Sequence, residues 1–188
     1  MEAEKYTLFT VEDYLEAEQR SEIRHEYLYG TIHAMAGGSR RHNQICLAIA
    51  SVLQRKIRKG PCQTYMNDVK VLIRTRLGEI FYYPDVMIGC DPTDRHDFYL
   101  ERPSILFEVT SPSTEQTDRR EKLTSYQSLA SLEHYVIVSQ DTRSAEWFRR
   151  AEDGWERILL ADPGDALKFD GPGVELTLGE IYEDIDFA

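Results

Sequence analysis

The sequence predicts a mixed α/β (α+β) fold, a mixed central β-sheet flanked by helices, and three observations lead there. Apolar, β-prone runs of strand length recur along the chain, and "SILFEVT" and "HYVIVSQ" are almost wholly apolar, as strands covered on both faces are. Two longer segments, "GGSRRHNQICLAIASVLQRKIRKG" and "TDRREKLTSYQSLA", read as helices able to cover such a sheet. The length of 188 residues, with 41% apolar and 29% charged, suits one globular domain spanning residues 1–188 with a sizeable core.

The elements follow in order. "TVEDYLEAEQR" is a short helix with Thr10 as N-cap and acids in its first turn. "HEYLYGTIHAMA" is an N-terminal hairpin around Gly30. In the next helix Ser39 caps, Ile45, Ile49, Val52, Leu53 and Ile57 form one stripe, and Gly60 closes. "CQTYM" and "VKVLI" are strands flanking "ND", and "RLGE" is a turn leading into a further strand, "FYYPDVMIG". "DPTDRHDFYLER" is a polar loop. "SILFEVT" is a central strand, followed by the second long helix and by "HYVIVSQ". "SAEWFRR" and "WERILL" form a late hairpin around "EDG", and "LTLGEIYEDI" is a short terminal helix.

Composition excludes several classes. No window of eighteen residues is apolar and uncharged, so no transmembrane helix is expected. The N-terminus is acidic and lacks the apolar core of a signal peptide, which points to the cytoplasm. Cys46, Cys62 and Cys90 are odd in number and widely spaced, and are expected to be reduced core residues. The histidines and cysteines show no zinc spacing, "HEYLY" is not HExxH, and neither a P-loop nor GxSxG is present. The net charge of −11 opposes a broad nucleic-acid face, so contact with phosphates would need a local basic patch or bound cations.

Two acids break the apolar pattern: Asp85 in "IFYYPDVMIGC" and Glu108 in "PSILFEVTSPST". An unpaired buried carboxylate costs several kcal/mol, so such groups shift pKa, pair, or hold a metal. The two segments lie far enough apart in sequence to be neighbouring strands. Carboxylates about 4 Å apart repel by roughly 1–4 kcal/mol, and a divalent cation such as Mg²⁺ turns that repulsion into binding. The competing reading has Asp85 capping a turn after Pro84 and Glu108 pairing with a distant arginine. Asp118, Lys122 and Tyr126 share one face of the following helix, so Lys122 can point at the acids if the helix folds back. Alternatively, Asp118 and Lys122 are only a surface pair. Arg40, Arg41 and His42 at a helix N-terminus make a candidate phosphate site, with plain capping by Ser39 and solvated arginines as the alternative. Asp68 and Lys70 in "NDVKV" are weaker candidates, as are Tyr126 and Gln127 for the lining of a cleft.

These residues resemble the restriction-endonuclease-like superfamily, whose signature is Pro-Asp followed by Asp/Glu-X-Lys, and within it the Uma2-type bacterial endonucleases. The resemblance runs through "HEYLYGTIHAMAGGSRRHN", "NDVKV", "YYPDVMIGCDP", "ILFEVTSPSTEQTDRREKLTSYQSLASLEHYVIVSQD" and "EIYEDIDF". It implies a restriction-endonuclease-like core with the N-terminal hairpin and C-terminal strands as additions. It also implies that Asp85, Glu108 and the Val109 carbonyl hold Mg²⁺ or Mn²⁺. Thr110 stands where the signature lysine belongs, and Lys122 is its implied replacement. Glu26 falls where relatives contribute an extra acid; an exposed strand residue is the other reading. The implied activity is phosphodiester hydrolysis, in DNA above all, with Arg40, Arg41, Lys56, Arg58, Lys59, Arg119 and Arg120 as candidate groove cations. The alternative is a nuclease fold kept as an inactive nucleic-acid or protein interaction module. A carboxylate-pair glycosidase would use the two acids but would leave Lys122 without a role. A homodimer suits cleavage of both strands of a duplex.

Overall fold

The structure is a computed structural model that describes residues 8–57, 60–110 and 118–187, and the side chains of all of these except 118–120. It begins with α1 (Val11–Arg20), where Thr10 and Asp13 form a reciprocal capping box. The hairpin β1 (His25–Leu28) and β2 (Thr31–Ala34) follows. Its two turn residues, Tyr29 and Gly30, have φ of 52° and 95°, the left-handed pair that a two-residue hairpin needs to match strand twist. In α2 (Arg40–Ile57), Ser39 Oγ accepts the His42 amide at 3.0 Å, and the whole expected stripe is buried. Next come β3 (Gln63–Met66), β4 (Lys70–Thr75), β5 (Gly78–Tyr82), β6 (Val86–Gly89), β7 (Tyr99–Leu100) and β8 (Pro103–Thr110). Beyond α3 (Asp118–Gln127) lie β9 (His134–Ser139), β10 (Ala145–Ala151), β11 (Gly154–Leu160), β12 (Ala166–Phe169), β13 (Val174–Thr177) and α4 (Leu178–Ile181).

The strands form a six-stranded sheet, β11-β10-β9-β8-β6-β3, a five-stranded sheet, β2-β1-β5-β4-β7, and the pair β12-β13. In the larger sheet β8 runs parallel to β9 and antiparallel to β6. Alternation along β8 divides the core. Ile105, Phe107 and Val109 pack in the cluster built on α2, and Leu106 packs with Tyr126, Leu129, Tyr135 and Ile137 on the α3 side. The smaller sheet rests Tyr27, Leu72 and Phe81 on Tyr14 of α1. This is the mixed, helix-flanked architecture that the apolar runs predict.

Four details differ from the sequence reading. "FYYPDVMIG" is two strands in two different sheets, because Pro84 has no N–H to continue a ladder and the chain crosses over there. The loop "DPTDRHDFYLER" contains β7, which pairs with β4 through Lys70↔Tyr99. The terminal helix is confined to Leu178–Ile181, and the segment before it pairs with β12. Finally, Cys62 and Cys90 form a disulfide, and Cys46 alone stays free and buried. Wide spacing hid the pairing. The register Gln63↔Gly89 places Cys62 and Cys90 opposite each other one step further along β3 and β6. No helix among the described residues is long and apolar enough to cross a membrane.

Candidate active site

The crossover at Pro84 sets the first acid. Pairing of β6 with β8 runs to Val86↔Phe107, so one step further Asp85 stands opposite Glu108. Asp85 lies just before the start of β6, where its Oδ2 accepts the Val109 amide at 2.7 Å. Glu108 stays within β8, and only 8% of it is exposed. Glu108 faces α3, as Leu106 does.

Helix α3 folds back over this face. Lys122 Nζ lies 3.4 Å from Glu108 Oε1 and 2.9 Å from Glu26 Oε1, and Tyr126 donates to Glu108 Oε1 at 2.7 Å. Glu26 comes from the other sheet, on β1. The contact of Glu26 Oε1 with Lys122 is an ion pair off hydrogen-bond alignment, and that buried oxygen has no aligned donor. Two carboxylates thus share one ammonium, and the Asp85 charge acts on it from further off. The sharing shows in the proton affinities. Burial raises the Glu108 carboxyl to about 7, against the pull of Lys122, and the Asp85 charge adds to the rise. Burial alone would lower the Lys122 ammonium, but Glu108 and Glu26 outweigh it and hold it above the ordinary lysine range. Burial, then the Glu108 charge, push the Tyr126 phenol up, so it stays a donor.

The acids open on a cleft of about 570 Å³ between the two sheets, lined also by His33, Met35, Tyr82 and Thr110. His42 lines it from α2. Its Nε2 is 3.2 Å from Asp85 Oδ2, and its Nδ1 is 3.7 Å from Cys46 Sγ. The Asp85 hydrogen bond raises the His42 pKa above its usual value, against burial. His42, Cys46 and Asp85 each offer a ligand atom within 4.8 Å of the others.

The structure therefore brings Asp85, Glu108, Lys122, Glu26, Tyr126 and the Val109 backbone together, and it adds His42. The sequence reading put His42 with Arg40 and Arg41 on a phosphate site; its ring points instead at Asp85. A signal was available, since His42, Cys46, Ile49 and Leu53 share the buried stripe of α2. Arg40 is exposed, while Arg41 leans on the Gln140 carbonyl (3.5 Å) and Asp141 (3.9 Å). Lys56 is at the other end of the helix from Arg40. It sits about 24 Å further along α2 and is bound to Glu180 at 2.6 Å. Gln127 is half-buried and outside the cleft lining; the exposed Asp68, paired with Arg24, and the buried Lys70, which donates to the Tyr83 hydroxyl, are outside it too. Arg58 and Lys59 lie outside the described residues, and the side chains of Asp118, Arg119 and Arg120 lie outside the described set.

Residues 11–179 match the profile of a family described as "Uma2: Putative restriction endonuclease". The chain belongs to the Uma2 family. Two Synechocystis proteins, both named as uncharacterized, are similar to it. One, slr1290, is 32% identical over 94% of this chain and 92% of its own length. The other, sll1609, is 26% identical over 78% and 83%. A crystal structure from Anabaena variabilis, of a "putative nuclease belonging to DUF820", superposes with a TM-score of 0.74. It covers 93% of this chain and 98% of its own at 16% identity, a likeness of fold. The Uma2 match spans both sheets and every residue that meets in the cleft.

Proposed function

We propose that this Uma2 chain is a divalent-cation-dependent endonuclease that hydrolyses phosphodiester bonds, with DNA as its substrate, and that residues 1–188 act as one domain. The observation that carries the reading is the surplus of carboxylates at the cleft: Asp85, Glu108 and Glu26 all line it, and Lys122 ion-pairs with only the last two. The donor set fits a hard cation, because carboxylate and carbonyl oxygens are what Mg²⁺ and Mn²⁺ take. The Glu108 carboxyl, raised by burial and by the Asp85 and Glu26 charges against the pull of Lys122, is a group that a bound cation would keep ionised. Asp85, Glu108 and the Val109 carbonyl are the residues that would hold the ion. Bound there, Mg²⁺ or Mn²⁺ supplies Lewis acidity towards the scissile phosphate and eases deprotonation of water.

The chain's own residues supply the rest. Lys122, held by Glu26 and Glu108, orients the attacking water and offsets charge that grows on the phosphate oxygens. Tyr126 donates to Glu108 Oε1 and so fixes that carboxylate in place. A duplex substrate would need two copies of the site, which makes a homodimer the natural working form. The test is incubation of duplex, single-stranded and branched DNA and of RNA with Mg²⁺, Mn²⁺ or EDTA. Cation-dependent cleavage that Asp85→Asn abolishes is the expected result. Binding without cleavage under every cation would leave the interaction module as the function.

A further inference from the structure

The imidazole of His42 has a position that neither capping nor phosphate contact explains. Its ring is held from several sides. A Cβ on Gly38 would stand 2.7 Å from His42 Nδ1, so only glycine lets the incoming chain pass this close. Cys46 Sγ, fully buried, stands beside the same nitrogen at 3.7 Å. The other nitrogen, Nε2, faces Asp85 Oδ2 at 3.2 Å on the wall of the cleft. Two donors on adjacent corners of one octahedral sphere, each about 2.1 Å from the ion, stand about 3.0 Å apart. The observed separation is close to that edge.

We propose that His42 Nε2 is a ligand of the cation site and gives it a preference for a first-row transition ion such as Mn²⁺ over Mg²⁺. The inference rests on the cation-dependent reading above and adds to it a residue and a selectivity. Mg²⁺ is a hard ion served by oxygen donors, whereas an imidazole nitrogen suits transition cations. Carboxylates alone would leave the two ions poorly distinguished. A metal-bound histidine also needs its second nitrogen held, because that contact orients the ring. Here Cys46 Sγ is the contact at that nitrogen, and Gly38 leaves room for the ring. Cys46 itself lies behind the ring, away from the cleft.

The probe is Mn²⁺ added to the intact chain, read by pulsed electron paramagnetic resonance and by calorimetry against Mg²⁺. The expected spectrum shows coupling to a directly bound histidine nitrogen, and the coupling changes when histidine is labelled with nitrogen-15. His42→Ala should remove the coupling and weaken Mn²⁺ binding by at least about tenfold, the scale seen even for outer-shell losses. Mg²⁺ affinity should move much less. His33→Ala, which changes the other histidine lining the cleft, should keep the coupling. Bound Mn²⁺ without nitrogen coupling in the wild-type protein would overturn the His42 inference and leave the cation site standing. Equal losses for both ions in His42→Ala would do the same. No Mn²⁺ binding by the wild-type protein would overturn both.

Discussion

Two adjacent tyrosines at the end of β5 look into two different polar networks. Tyr83 donates to Glu18 Oε1 at 2.8 Å, and the same carboxylate accepts the His25 amide at 2.8 Å and meets His25 Nδ1 at 3.0 Å. Lys70 closes this group, donating to the Tyr83 hydroxyl at 3.2 Å and lying over its ring. Here one buried carboxylate meets several donors, and charges match. Tyr82 faces the cleft, where the Lys122 ammonium lies over its ring and pairs with Glu108 and Glu26, and Asp85 lines the same cleft. There the acids outnumber the cations. A balanced buried network holds strands together, whereas an unbalanced one carries a cost that only a ligand removes.

The comparison can be broken most sharply at the acids. Asp85→Asn and Glu108→Gln should each abolish Mn²⁺ binding and cleavage, and should leave the apo protein as stable or more so, because like-charge repulsion is relieved. Unchanged Mn²⁺ affinity by calorimetry in both variants would end the case for a cation site. Lys122→Met should retain cation binding and cut single-turnover cleavage by roughly 10²–10³, the scale of losing one preorganised charge-stabilising group. Adding Thr110→Lys should restore part of that loss, since Thr110 and Glu108 share a face of β8 and both line the cleft. A Lys122→Met enzyme cutting at the parental rate would reduce that lysine to a structural ion pair.

The balanced network should respond the other way round. Glu18→Ala leaves the His25 amide and the Tyr83 hydroxyl without their acceptor, and should lower stability by about 1–3 kcal/mol while Mn²⁺ affinity holds, as denaturant melts and calorimetry would show. A subtler separation comes from pH. Glu108 has its folded pKa raised from the usual carboxylate range to about 7, chiefly by burial. Its protonated form is therefore favoured by folding. The stability it contributes is full below the ordinary carboxylate pKa and is lost as pH rises to about 7. Cation binding needs the ionised form, so affinity should fall as pH drops below about 7. Glu108→Asp or Tyr126→Phe should move that midpoint, and a pH-independent affinity would contradict it. The smallest effect belongs to the exposed arginine. Arg40→Ala should flatten the salt dependence of nucleic-acid binding by about one counterion and Arg41→Ala by less, since Arg41 already leans on Asp141. Equal slopes for the two would reverse that ranking.

Much of the scaffold was legible because local signals and burial agreed. Thr10 and Ser39 cap the helices expected of them, the stripe from Ile45 to Ile57 is buried, and the apolar run of β8 sits mid-sheet. The errors fell where a local pattern could not report a partner. "FYYPDVMIG" has the alternation of one strand, but Pro84 divides it between two sheets. Cys62 and Cys90 are far apart in sequence and opposite in register. Lys56 looked like a neighbour of the arginines only because it shares their helix.

For the site, the sequence alone picked out the acids that interrupt apolar runs, Glu108 within a strand and Asp85 at what proves to be the crossover after Pro84, and a lysine on one face of α3. It determined this because period and polarity are local properties, readable one element at a time. Only the tertiary structure decided that Glu26 crosses from the other sheet to share Lys122. It alone decided that His42 turns from the helix end onto Asp85, and that Glu18 and Lys70 close a separate network. These contacts join residues distant in the chain, and their energies depend on which charges end up within a few ångströms in a dry cleft. Coulomb interactions and desolvation are set by that final packing.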